Sequence, residues 1–249
     1  MKHIFLSLLL VSTLGFSSCN IDVNGMRNSF SKEVVNVSQN NIDEIRKVNS
    51  FNGVDIRHAI VLNVTDSPYN GEITINAPDN VLDNIKTEVV NGVLKIYVDG
   101  NLRMNNQKIT VNIPHQKLRS FNLSGAVKGT IQPTLKVENL AIDLSGASSL
   151  QLKAMSNKIV VNNSGASSLV LDGNTQELVA DISGASKLNA ESLKIANATI
   201  DCSGASSARV WVIDKMTVDA SGASKVLYKM ASNLQTKLNS SGASKISSF

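Results

Sequence analysis

From about Ile42 onward apolar and polar residues alternate with a period of two, and no sustained helical period interrupts them. That alternation predicts half-buried strands. Val54-Asp55-Ile56, Ala59 to Val64 and Glu72 to Asn76 are short strands in this reading, with Ser67-Pro68-Tyr69-Asn70-Gly71 as a turn. Thr87 to Val90 and Val93 to Val98 flank Asn91-Gly92, a pair that supplies the two positive-φ residues of a tight hairpin turn. Asp79 to Asp83 has room for one helical turn at most.

In the second half a longer period is laid over the short one. Ser-Gly-Ala recurs seven times, at Ser124, Ser145, Ser164, Ser183, Ser203, Ser221 and Ser241, at intervals of 21, 19, 19, 20, 18 and 20 residues. Five, three and one places before the serine stand Leu140, Ile142 and Leu144 in one copy and Ala198, Ile200 and Cys202 in another. Two places before it the residue is always Asn or Asp: Asn122, Asp143, Asn162, Asp181, Asp201, Asp219 and Asn239. The apolar set faces inward and the Asn/Asp column outward.

Each copy is therefore one coil of about twenty residues whose two strands meet at the Ser-Gly-Ala corner, with room for a third short strand near Lys158 or Glu177. Gly125, Gly146, Gly165, Gly184, Gly204, Gly222 and Gly242 are the expected structural corners, since glycine takes backbone conformations closed to other residues. The alanine after each is expected to point into the tight interior. Ser148, Ser167, Ser186 and Ser206, with Lys187, Lys225 and Lys245, are expected to form a flat polar face.

The fold class predicted is all-β: a right-handed parallel β-helix with an irregular β-rich N-terminal cap. A leucine-rich horseshoe would need a spaced leucine consensus and helical return segments, which are absent. Residues 42–249 form the domain, divided into 42–115 for the cap and first coils and 116–249 for the repeat coils.

Composition changes this picture mainly at the N-terminus. Met1-Lys2-His3 and the eleven apolar-rich residues Ile4 to Leu14 have the proportions of a secretory signal. They fall short of the roughly 20 residues a membrane span needs. Gly15-Phe16-Ser17-Ser18-Cys19 resembles a bacterial lipoprotein cleavage box, with Phe16 in place of the usual Leu. The expectation is a signal peptide over 1–18, lipidation at Cys19, and an Asn/Ser-rich tether over 19–41. A plain cleaved signal peptide is the alternative. The only other cysteine, Cys202, lies in an inward column and is expected to act as a small buried hydrophobe.

Twenty-four basic and twenty acidic residues give a formal charge of +4 without a basic run, so nucleic acid is not indicated as a partner. The expected partners are a membrane, through the lipid anchor, and a protein or glycan. Oligomeric state is not legible.

Ser50-Phe51-Asn52-Gly53-Val54, Asn91-Gly92-Val93-Leu94-Lys95-Ile96 and Ser-Gly-Ala-Ser coils ending in Ser244-Lys245-Ile246 resemble the family described as putative auto-transporter adhesin, head GIN domain. The similarity runs from about Val48 to Phe249. It implies a β-helical protein exported by Bacteroidetes-type bacteria, often as a lipoprotein, and it carries over no catalytic residues.

The residues themselves offer little chemistry. Asp181, Asp201 and Asp219 form an outward carboxylate ladder, read either as a divalent-cation site or as an Asx ladder bonded to the corner backbone. Trp211 is expected to point outward beside Arg209, a pairing suited to stacking on a sugar or a protein. These five residues are the candidate ligand surface. His58 and His115 have no metal-ligand or triad spacing, and the serine repeats lack a nucleophile-elbow pattern, so no catalytic residue, metal or cofactor is expected. The functional expectation is a non-catalytic interaction or adhesion module on a cell-envelope lipoprotein of the outer membrane. A polysaccharide lyase or glycosidase on the same fold and a passive envelope spacer are the alternatives.

Overall fold

Residues 34–249 are described, in a computed structural model, and their regular structure is almost entirely strand. The signal segment, Cys19 and most of the expected tether lie outside the described residues. Folded structure begins inside the expected tether, because Val34–Asn36 (β1) pairs in parallel with Asn101–Arg103, and Asn41–Lys47 (β2) pairs antiparallel with Glu72–Pro78. The expected tether over 19–41 is thus corrected in its described part, where Val34–Asn36 is strand.

The N-terminal third holds Gly53–Ile56 (β3), Ile60–Pro68 (β4), Glu72–Pro78 (β5), Ile85–Val90 (β6), Val93–Val98 (β7), Asn101–Arg103 (β8) and Ile109–His115 (β9). The β6–β7 hairpin turns on Asn91 (φ 52°) and Gly92 (φ 74°), as its residue pair predicts. Asp79–Asn84 is a short 3-10 turn. The strands β2, β5 and β6 run antiparallel to their neighbours and close this end. Closure of this kind protects a solenoid whose terminal backbone would otherwise be open to pairing.

Next come Ser120–Leu123 (β10), Lys128–Ile131 (β11), Leu135–Leu144 (β12), Ser149–Asn163 (β13), Ser168–Ile182 (β14), Lys187–Cys202 (β15) and Ser207–Ala220 (β16). Lys225–Lys229 (β17), Gln235–Ser240 (β18) and Lys245–Ser248 (β19) complete the fold. They stack in parallel as a β-solenoid with coils of roughly 20 residues. The paired columns of β13 and β14 break at Asn157 and resume at Lys158↔Glu177, where the sequence leaves room for a third segment.

The stacking order departs from chain order. The β3–β4 coil lies between the later β7–β9 coil and the β10–β11 coil. One inward column accordingly reads Ile96, Ile56, Leu123, Leu144, Asn163, Ile182, Cys202 and Ala220. All but Asn163 are apolar. Asn163 is 1% exposed and is satisfied by the corner itself, donating from Nδ2 to the Lys187 carbonyl (2.9 Å) and accepting from Ser167 Oγ.

Candidate functional site

Three surfaces follow from the repeat: the corner, the Asn/Asp column beside it, and the outward face beyond it. At the corner each glycine is left-handed, φ 70° to 87°, and from Gly125 to Gly222 its carbonyl accepts from the alanine N–H of the next coil, at 2.7 Å for Ala185 on Gly165. The N-terminal member of the column is not glycine. His58 holds φ 72° there and accepts the Ala126 N–H at its carbonyl (3.1 Å). Its Nδ1 accepts from the Val98 N–H (3.2 Å), which ties down a conformation that side chains rarely adopt.

The expected interior alanine is corrected. Ala147, Ala166, Ala185, Ala205 and Ala223 are exposed, while Ser148, Ser167, Ser186 and Ser206, expected on a flat polar face, are buried, as is Ser224. Ser186 Oγ donates to the Ser183 carbonyl of its own corner (2.7 Å) and approaches the Asn163 carbonyl of the coil beneath (2.8 Å). Ser206 and Ser224 reach the corresponding carbonyls of Ile182 (3.0 Å) and Cys202 (3.2 Å). From Ser167 to Ser224 small hydroxyls inside the corner thus satisfy backbone oxygens that turn inward, whereas Ser148 Oγ is buried without a partner. The lysines Lys187, Lys225 and Lys245 do face solvent.

Asp143, Asn162, Asp181, Asp201, Asp219 and Asn239 are registered neighbours along one exposed column, as the alternation predicts. Asn239 Nδ2 donates to Asp219 Oδ1 (2.6 Å). Partial burial, then the charges of Asp219 and Asp181, hold the Asp201 carboxyl above its ordinary pKa. Among the described residues no group of three or more His, Cys, Asp or Glu is placed to hold a metal ion.

Asp201→Asn is therefore expected to stabilise the protein near pH 7 by about 0.2–1 kcal/mol, the size of a like-charge cross-strand term. The folded pKa lies above the unfolded one, so the wild type regains this stability as pH falls through the interval between them. Thermal melts of both proteins near pH 7 and near pH 3 should show the gap closing in acid; a gap that widens contradicts the ladder repulsion.

On the outward face Arg209 and Trp211 do share a side of β16, but they do not pair. Arg209 Nε bonds Glu191 Oε2 (2.8 Å) and its guanidinium lies 4.8 Å from the Phe249 ring centre. Lys229 Nζ sits 4.3 Å from the Trp211 ring centre, and Trp211 is half-buried. The Glu191 contact arises where β15 bulges between Ala190 and Lys194. Sequence spacing placed the two residues on one face and could not supply the partners, which come from other coils.

Cys202 is 2% exposed and burial pushes its thiol pKa up to about 11, the opposite of a reactive cysteine. Sequence reasoning found no role for His115 and passed over Asp66, Gln116 and the lysines Lys117, Lys136 and Lys153, which the threading gathers with it at one cavity.

The chain matches the family described as putative auto-transporter adhesin, head GIN domain, over residues 50–246. Among solved structures it is similar to a putative adhesin from Bacteroides fragilis, 20% identical over 86% of this chain and 100% of that one, with TM-score 0.79. A putative adhesin from Parabacteroides merdae matches at 17% identity, 87% and 99% coverage and TM-score 0.68. A protein described as a putative lipid binding protein from Parabacteroides distasonis matches at 16% identity, 87% and 100% coverage and TM-score 0.67. At these identities the likeness is one of fold. No curated protein matches the chain.

Proposed function

We propose a function from one premise: this chain belongs to the putative auto-transporter adhesin, head GIN domain family. It serves as a non-catalytic, adhesion-type module of the cell envelope, carried on a lipid anchor at Cys19 and held outside the outer membrane. What supports the reading is the registered exterior of the solenoid, where the Asn/Asp column and the exposed corner alanines repeat from coil to coil along one side. A repeating face of this kind suits an extended partner, protein or glycan, that meets several coils at once. Among the described residues no helix is long and apolar enough to cross a membrane, and Cys19 supplies the attachment in this proposal.

The test joins anchoring to exposure. Labelled palmitate should enter the wild-type chain and not a Cys19→Ala variant, and protease added to intact cells should remove the domain. Labelling that survives the substitution sinks the anchor. Full protection in intact cells with labelling intact sinks adhesion and favours the envelope spacer.

A further inference from the structure

A groove of about 700 Å³ runs over the regular coils between Asn139 and Thr217, and the irregular segments near the N-terminal end build a second cavity of similar size. Two residues, Asp66 and Ser67, leave the β4–β9 ladder between Thr65 and Pro68. The chain leaves strand geometry again between His115 and Ser120 and between Ile131 and Leu135. These interruptions fall around a cavity of about 690 Å³, within the range of small-ligand sites.

Its charge is one-sided. Lys117, Lys136 and Lys153 line it with Asp66, three ammonium groups against one carboxylate. Among the described residues Lys117 and Lys136 make no ion pair, and Lys153 reaches only Asp172 at 4.0 Å. His115 and Gln116 also line it, and His115 Nδ1 and Gln116 Nε2 are buried without a hydrogen-bond partner. Buried polar atoms without partners are rare, and an amide nitrogen can only donate, so the site lacks an acceptor. Beside these polar groups lie Leu135, Val137 and Met155; Met155 is 45% exposed and is the registered neighbour of Lys136.

We infer that this cavity binds an acidic saccharide, one or two sugar units long. A carboxylate or sulfate oxygen answers the lysines and the unpartnered amide nitrogen, and the apolar C–H face of the sugar ring covers Met155 and Val137. The anion follows from the cavity; the choice of a saccharide rests on the adhesion-type reading. The site is distinct from Trp211, Arg209 and the aspartate column, none of which lines it.

The experiment is calorimetric titration of the whole folded protein with galacturonic acid disaccharide, a sulfated chondroitin disaccharide, neutral maltose and a pentaglutamate peptide. Either acidic disaccharide should bind and maltose should not. Affinity should fall with added salt and drop at least about ten-fold in a Lys136→Glu/Lys153→Glu variant, the scale of losing charge-assisted contacts. A thermal melt confirms that the variant is folded; should it melt early, Lys136→Gln/Lys153→Gln is titrated in its place. Absence of binding by both acidic disaccharides, undiminished binding by the folded variant, or pentaglutamate binding at least as tightly as the disaccharides each overturns the inference. Protease exposure and palmitate labelling of cells are unaffected by these outcomes, so failure here leaves the adhesion-type reading to its own test.

Discussion

Gly184→Ala should destabilise the folded body by about 2–5 kcal/mol, a drop on the order of 10 °C in Tm for a domain of this size. Two effects add. The backbone at 184 is left-handed, φ 71°, which costs an alanine about 1–2 kcal/mol. A Cβ there would also lie 2.6 Å from the Gly165 carbonyl oxygen, which is backbone and is already engaged by the Ala185 N–H. The coils must separate or the corner must tilt, and both break the inter-coil ladder. Gly71→Ala separates the terms, because Gly71 has φ 87° and nothing within 4 Å of its would-be Cβ. It should lose only the conformational part. The same contact lengthens along the axis, from 2.5 Å at Gly146 to 3.0 Å at Gly242, so Gly242→Ala should be the mildest corner substitution. Melts followed by circular dichroism decide this; equal Tm losses at 71 and 184 would remove the close approach from the account.

The columns were readable because β-strand alternation has a period of two and each copy restates it. Leu140, Ile142 and Leu144 face in and Asp143 faces out for the same reason that Ala198, Ile200 and Cys202 face in and Asp201 out. The count fails at the corner, where a left-handed residue interrupts the alternation. Ala185, small and apolar, looks like an interior residue, yet the chain turns so that the next side chain, Ser186, enters instead. One signal could have shown this: the first copy carries Val127 in the serine's place, and Val127 is fully buried. His58 shows the converse difficulty, since nothing local marks a histidine as the left-handed member of a glycine column.

The cavity was illegible for a different reason. Its residues lie at 66, 115–117, 133–137, 153 and 155, and they meet only because the β3–β4 coil is threaded between two later coils. Repeat length and alternation carry no information about that order. His115 therefore appeared isolated in the sequence, although the β4–β9 ladder sets Pro68 opposite it just beyond the bulge that holds Asp66.

The corner assignment itself can be tested by exchanging the roles of neighbours. Ser186→Leu should destabilise by about 2–4 kcal/mol, while Ala185→Leu should stay within about 0.5 kcal/mol of wild type. Ser186 is fully buried, and its hydroxyl donor also sits within reach of two carbonyls, so leucine both overfills the corner and leaves the Ser183 oxygen without the serine donor. Ser186→Ala removes only the hydroxyl and should cost about 1 kcal/mol, because the Asn163 carbonyl keeps the Ser183 N–H as a donor at 2.9 Å. The interval between the alanine and leucine variants measures how closely the corner is packed. Ala185 projects to solvent, where a larger side chain meets water. Denaturant unfolding of the three variants separates the possibilities. Should Ala185→Leu prove as damaging as Ser186→Leu, the alanine belongs inside, and the exposed strip along the corners would no longer be made of methyl groups that a partner can touch.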